Sequence, residues 1–222
     1  MLDAINNTGE VEEPILGPVD AICELLFGLF MALTFVGAIS VVNPGNGQVR
    51  ELFVTAFGCN IAWGLVDAVI FLVRTLVDRG RMLTLVRAVH AAPDAKAAHR
   101  IVEDGVSRTA RALLTPPEIE SIRGRVAAMP VPDRPRFRAR DFVSALAIFL
   151  VVVGSTVPVV LPFLLIHDLV LAKRVSHAVA VVMLFFGGLA LGRYAGYGSW
   201  RVGAMTAGLG IVMVGAINAL GG

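Results

Sequence analysis

The sequence predicts an all-α integral membrane protein with five transmembrane helices and a cytosolic helical insert between helices 2 and 3. Its 222 residues are 56% hydrophobic, and the mean hydropathy of +0.77 exceeds that of ordinary soluble domains. Five apolar runs approach the length that a helix needs to cross a bilayer. Polar residues concentrate in one stretch between the second and third runs, and this stretch defines the insert.

The first apolar run organises the rest of the chain. Residues 1–17 are acidic and contain no lysine or arginine, which predicts a flexible tail. The first helix starts at Pro18, and residues 25–42 carry no charge, which corresponds to about 27 Å of helix. Residues 43–47 predict a turn. The second run, 52–73, completes a segment 18–78 that holds helices 1 and 2.

Residues 142–222 supply helices 3 to 5, as apolar runs at 142–166, 175–191 and 202–220. Pro158 and Pro162 lack backbone donors, so we expect the third helix to kink or open and to expose carbonyl oxygens near Gly154. Small residues spaced four apart predict close packing of the last two helices. They are Gly188 with Gly192, Gly203 with Ala207, and Ala204 with Gly208.

The insert, residues 79–141, holds 13 of the 19 lysines and arginines. Segments rich in lysine and arginine next to membrane spans stay on the cytoplasmic side. We therefore expect a cytosolic insert, a cytoplasmic N-terminus and an external C-terminus. The pattern predicts helices at 82–91, 93–103 and from 115 onward. With little apolar material, the insert is expected to need the membrane domain or a partner to pack against. The arginines at 134–140 fit anionic-lipid binding or simple positive-inside anchoring.

Acidic residues at membrane depth are the main functional signal. Asp20 and Glu24 lie four apart on one face of helix 1, and Asn60 and Asp67 lie seven apart on one face of helix 2. Charges at this depth are costly, so acids retained in two successive spans point to a cation or protons as their partner. Oxygen ligands of this kind suit a divalent cation. The predicted metal site is therefore Asp20, Glu24, Asn60 and Asp67.

Purely structural interpretations of these residues also fit the sequence. Asp20 and Glu24 also fit acids that rest among lipid headgroups, and Asp67 also fits a pair with Arg74. His99 and Glu103, four apart in the insert, have metal-ligand spacing, but a solvated helix face explains them better. The sequence has no nucleophile–base pattern, phosphate-binding glycine loop or nucleic-acid signature. We therefore expect neither an enzyme, a bound cofactor nor a nucleic-acid partner.

Residues 184–196 and 200–203 resemble the vacuolar iron transporter family. The shared pattern is an apolar helix that ends in a small residue and an arginine, followed by a glycine turn. An arginine and a glycine then begin the last helix. Residues 154–158 followed by Pro162 resemble the family's glycine and double-proline helix. The resemblance implies export of ferrous iron or manganese from the cytosol, here across a bacterial inner membrane. It also implies a homodimer with the ion path between two first helices, where Gly28, Ala32 and Gly37 would leave room.

Two functions therefore follow from the sequence. The first is transport of iron or manganese out of the cytosol by proton antiport, because carboxylates in a low dielectric can exchange a proton for a cation. The alternative is a non-transporting membrane protein of the same fold, whose basic insert binds a partner or anionic lipid. The acids of helices 1 and 2 favour the first. The few helix-region acids of the insert, Glu103, Asp104, Glu118 and Glu120, favour the second, because the family's metal-collecting cluster would be missing.

Overall fold

A computed structural model describes residues 16–42, 49–196 and 198–219, and all of its regular structure is helical. Within these described ranges, five helices are long and apolar enough to cross a membrane, and shorter ones lie between the second and the third, so the predicted fold class is confirmed. The predicted turn at 43–47 and most of the acidic tail lie outside the described residues. The helices are α1 Pro18–Val42, α2 Val49–His90, α3 Ala95–Gly105, α4 Arg108–Leu113, α5 Pro116–Ala128, α6 Ala139–Leu165, α7 Leu169–Ala195 and α8 Ser199–Ala219.

The chain divides into two compact units, and the first combines Met1–Ile70 with Phe142–Gly222. In this unit α1 packs against α7 and α8. The α1 side chains that form the core recur every three or four residues, which puts them on one side of the helix. The core also takes residues from α6 and α7. Its buried members are Leu26, Leu29, Ala32, Leu33, Val36, Val159, Phe163, Ala172, Ala180 and Leu184.

Glycine lets α7 and α8 approach closely, as predicted. A Cβ atom on Gly188 would lie 2.8 Å from the Cα of Gly203, and one on Gly192 would lie 2.6 Å from the Cα of Ser199. The hydroxyl of Thr206 donates to the Leu184 carbonyl at 2.8 Å and ties the two helices together. The third predicted pair, Ala204 with Gly208, is different, because a Cβ on Gly208 would meet nothing within 4 Å.

The long helices of the second half start before their predicted apolar runs, and α7 differs most. α7 begins at Leu169 rather than at 175, because the Asp168 carboxylate caps it by accepting from the Leu171 N–H at 3.0 Å. α6 runs as one helix through Pro158 and Pro162, so of the two expected outcomes, a kink or an opening, the helix does not open. The predicted helical continuation of the second span is confirmed, because α2 continues to His90.

The second unit, Phe71–Asp141, consists of the end of α2 with α3, α4 and α5. The helix start predicted at residues 115–118 is confirmed by α5, whereas α4 was not predicted. The unit has a small core of its own. The core residues are Val86, Val89, Ala98, Val102, Ile119 and Val126.

Candidate functional site: a polar seam between α1, α2 and α6

Asn60 of α2 is a fully buried polar residue inside the apolar bundle, with 0% of its surface exposed. Its Nδ2 donates to the Gly28 carbonyl of α1 at 3.5 Å and to the Thr156 hydroxyl of α6. Asn60 therefore joins α2 to both α1 and α6.

Glycine allows the three helices to meet at this point. A Cβ atom on Gly28 would lie 2.9 Å from the Val152 carbonyl oxygen of α6, closer than a side-chain carbon tolerates. One on Gly64, a turn beyond Asn60, would lie 3.3 Å from the carbonyl oxygen of Phe149. The backbones of α1 and α2 thus both come close to α6, and backbone oxygens enter the contact.

The polar atoms at this junction are only partly satisfied. Ser155 and Thr156 donate their hydroxyls to the Val152 carbonyl at 2.7 and 3.3 Å, which leaves their oxygens able to accept. The Oδ1 of Asn60 is buried and makes no hydrogen bond to any residue that the structure describes. Such an atom costs free energy unless a water, a proton donor or a cation meets it. We call Glu24, Asn60, Asp67, Ser155 and Thr156 the polar seam.

Both carboxylates of the seam lie on the same side of the Asn60–Gly28 contact. α1 and α2 are antiparallel here, because the rings of Phe27 and Trp63 also meet, with centroids 6.2 Å apart. Glu24 is one turn before Gly28 on the same face, about 6 Å along the axis, and Asp67 is about 10 Å beyond Asn60. Both are half-buried, and each has an interaction partner in the chain.

The structure does not gather all the predicted ligands into one shell. Asp20 is exposed in the first turn of α1, where the positive end of the helix dipole favours a carboxylate. Among the described residues, no group of three or more His, Cys, Asp or Glu side chains is placed to hold a metal ion. The backbone oxygens at the seam belong to Gly28 and to Val152, which lies two residues before the exposed Gly154.

The acids of the insert are engaged with neighbouring residues. Glu103 accepts from Arg111 at 2.6 Å, and the Nδ1 of His99 lies 3.4 Å from Glu120 rather than joining Glu103. Hydrogen bonds from Arg123 hold the pKa of Glu120 below its usual range. The Thr115 backbone N–H and hydroxyl, each donating at 2.7 Å, lower the pKa of Glu118. These contacts support the interpretation of the predicted His99–Glu103 pair as an ordinary helix surface.

Two polar residues of α7 were missed by the sequence analysis. Ser176 is buried and donates to the Val159 carbonyl of α6 at 2.6 Å. His177 has a buried Nε2 without a hydrogen-bond partner among the described residues, and it lines an otherwise apolar groove of about 370 Å³ between α7 and α8. Their polar side chains inside an apolar run were a signal that could have identified both.

No protein-family model matches the chain, and no curated protein matches it either. The residues and the geometry of the polar seam are therefore the features that indicate a function.

Proposed function

We propose that the chain is a membrane transporter that moves divalent metal cations, iron or manganese, out of the cytosol in exchange for protons. The observation that carries the proposal is Asn60, a fully buried amide with an oxygen that no described residue satisfies. The half-buried carboxylates of Glu24 and Asp67 lie on one side of its contact with Gly28, and carboxylate, amide and backbone oxygens are the ligands that such cations accept. The five apolar helices provide the membrane setting that transport requires.

In this proposal Asp20 lies at the mouth of the path, Glu24 and Asp67 exchange protons for the cation, and Asn60 supplies an uncharged oxygen. A carboxyl group in a low dielectric gains protons readily, so loading a cation there releases protons. Hydroxyl oxygens of Ser155 and Thr156 extend the row of acceptors. The ligands must move together to bind, so transport requires a rearrangement of α1 and α2 against α6.

The homodimer implied by the family resemblance remains part of the proposal, but the glycines of α1 no longer support it. Gly28 packs against Val152 of α6, and a Cβ on Gly37 would lie 2.6 Å from Ile217 of α8. Ala32 is also buried within the chain. These small residues therefore serve packing inside one protomer.

The second candidate is a non-transporting membrane protein whose insert binds a partner or anionic lipid. The observation in its favour is the insert itself, which has its own core and acids held by arginine and threonine. A separate helical unit of this kind is compatible with a binding protein as well as with a transporter.

Uptake into proteoliposomes distinguishes the two candidates. Purified protein is reconstituted in vesicles that contain a metal-sensitive dye and a pH-sensitive dye, and Fe²⁺, Mn²⁺, Zn²⁺, Mg²⁺ and Ca²⁺ are added in turn. Transport predicts protein-dependent uptake of Fe²⁺ or Mn²⁺ with opposite proton movement. Uptake of every ion at the rate of protein-free vesicles would contradict transport and leave the binding protein.

A further inference from the structure

We propose that residues 134–140 form a binding site for the headgroups of acidic phospholipids. This segment, Arg-Pro-Arg-Phe-Arg-Ala-Arg, leads directly into α6, whose apolar span begins at Ala139. Residues within a turn or two of a span lie at the depth of the headgroups. The proposal is independent of transport, since it requires only that α6 crosses the membrane.

Contacts to the end of α2 hold the segment in place. Arg79 donates to the Arg136 carbonyl at 2.8 Å, and Arg87 donates to the carbonyl of Asp133 at 2.6 Å and of Pro132 at 3.1 Å. At its other end the backbone N–H of Arg138 donates to Asp141 at 2.6 Å. The backbone is therefore ordered before a ligand arrives, which lowers the entropic cost of binding.

One of the two acids that flank the segment, Asp141, already has a partner. Asp141 accepts two hydrogen bonds from Arg79, at 2.6 and 2.7 Å, and it partly balances the charge of Arg138. Arg134, Arg136 and Arg140 are exposed and form no ion pair with any residue that the structure describes. Three positive charges thus remain available on a segment whose backbone is fixed.

The chemistry of these side chains selects an anionic lipid. Guanidinium groups bind phosphate oxygens through paired hydrogen bonds, and a zwitterionic headgroup offers no net charge to balance three arginines. Phe137, 42% exposed between the arginines, offers an apolar ring that can enter the boundary between headgroups and acyl chains. A membrane lipid satisfies both features, whereas free phosphate satisfies only the first.

The test measures lipid preference in the full-length protein. Wild type is incorporated in nanodiscs of equal phosphatidylglycerol and phosphatidylcholine, and the lipids retained after detergent extraction are quantified by mass spectrometry. The test variant is Arg134→Gln/Arg136→Gln/Arg140→Gln. The matched control is Lys96→Gln/Arg100→Gln/Arg125→Gln, which removes the same charge from exposed positions of α3 and α5.

At about 1 kcal/mol for each basic residue near the surface, three arginines correspond to a preference of roughly 100-fold for phosphatidylglycerol. We expect the test variant to fall within about twofold of no preference and the control to keep the wild-type value. Inorganic phosphate at millimolar concentration should not displace the lipid. Equal preference in wild type and test variant, an equal loss in the control, or displacement by inorganic phosphate would overturn the proposal. Circular dichroism of each variant establishes that it is folded.

Discussion

At the scale of single residues, the seam depends on one amide and one glycine. Asn60 reaches α1 and α6 only because Gly28 has no side chain to separate them. The amide oxygen then remains buried and without a hydrogen-bond partner among the described residues. Such an arrangement costs stability, and function is the usual reason for retaining a cost of this kind inside a membrane protein.

Gly28→Ala should destabilise the bundle by about 1–3 kcal/mol, the range for overfilling a packed interior. The added methyl group would lie 2.9 Å from the Val152 carbonyl oxygen, and neither backbone can move without separating α1 from α6. Thermal unfolding in detergent, followed by circular dichroism, measures the effect.

The matched control is Gly58→Ala, on α2 with nothing within 4 Å of the added carbon. This substitution should be neutral or stabilising, because alanine favours a helix over glycine by about 1 kcal/mol. If Gly28→Ala and Gly58→Ala unfold at the same temperature, the close contact between α1 and α6 is wrong.

The sequence identifies the polar residues of the seam but not their contacts. Asn60 and Asp67 can be identified from the sequence because they interrupt an apolar run, and helical spacing puts them on one face of the helix. The partner of Asn60 depends on how α6 lies against α1 and α2, which periodicity does not determine. Thr156 was therefore missed as the contact of Asn60.

At the scale of helices, an arginine–aspartate pair joins the end of α2 to the start of α6. Arg79 donates to both oxygens of Asp141 and also to the Arg136 carbonyl. The side chain of Asp141 is 9% exposed and that of Arg79 30% exposed. Because the planar guanidinium and carboxylate groups are joined by two hydrogen bonds, this pair is stronger than an ordinary surface ion pair.

Arg79→Ala should lower stability by about 2–3 kcal/mol, because it leaves the mostly buried Asp141 carboxylate without its main partner. Arg81→Ala serves as the control. Arg81 lies 3.7 Å from Asp78, with side chains 79% and 72% exposed, so its loss should be hardly measurable. Protease sensitivity of the 79–141 region and the thermal midpoint report the difference. Indistinguishable variants would show that the pair contributes nothing.

The sequence predicted the presence of the helices more reliably than the residues at which they begin and end. Apolar length identified all five long helices, and Thr115-Pro116-Pro117-Glu118 located the start of α5. α7 starts earlier than its apolar run because Asp168 supplies a cap and Lys173 and Arg174 are accommodated in the helix. α6 stays helical at its prolines because two missing bonds do not outweigh its packing against the core.

At the scale of the whole molecule, the basic residues predict an orientation. With residues 79–141 in the cytosol, a cysteine at Ala112, which is exposed in the insert, should resist an impermeant reagent in intact cells. A cysteine at Asn218, exposed near the end of α8, should react. Each is introduced after replacing Cys23 and Cys59 by serine. Labelling at 112 and protection at 218 would reverse the orientation.

Divalent-ion flux through amide variants of the polar seam tests directly whether its acids form the transport site. Glu24→Gln and Asp67→Asn keep the shape of each side chain and remove the charge that a cation needs, so each should abolish Fe²⁺ or Mn²⁺ flux in reconstituted vesicles. Both should insert and fold normally. His99→Ala, in the insert, should transport at the wild-type rate. If both amide variants carry ions as fast as wild type, the seam is not the transport site, and its acids serve the structure alone.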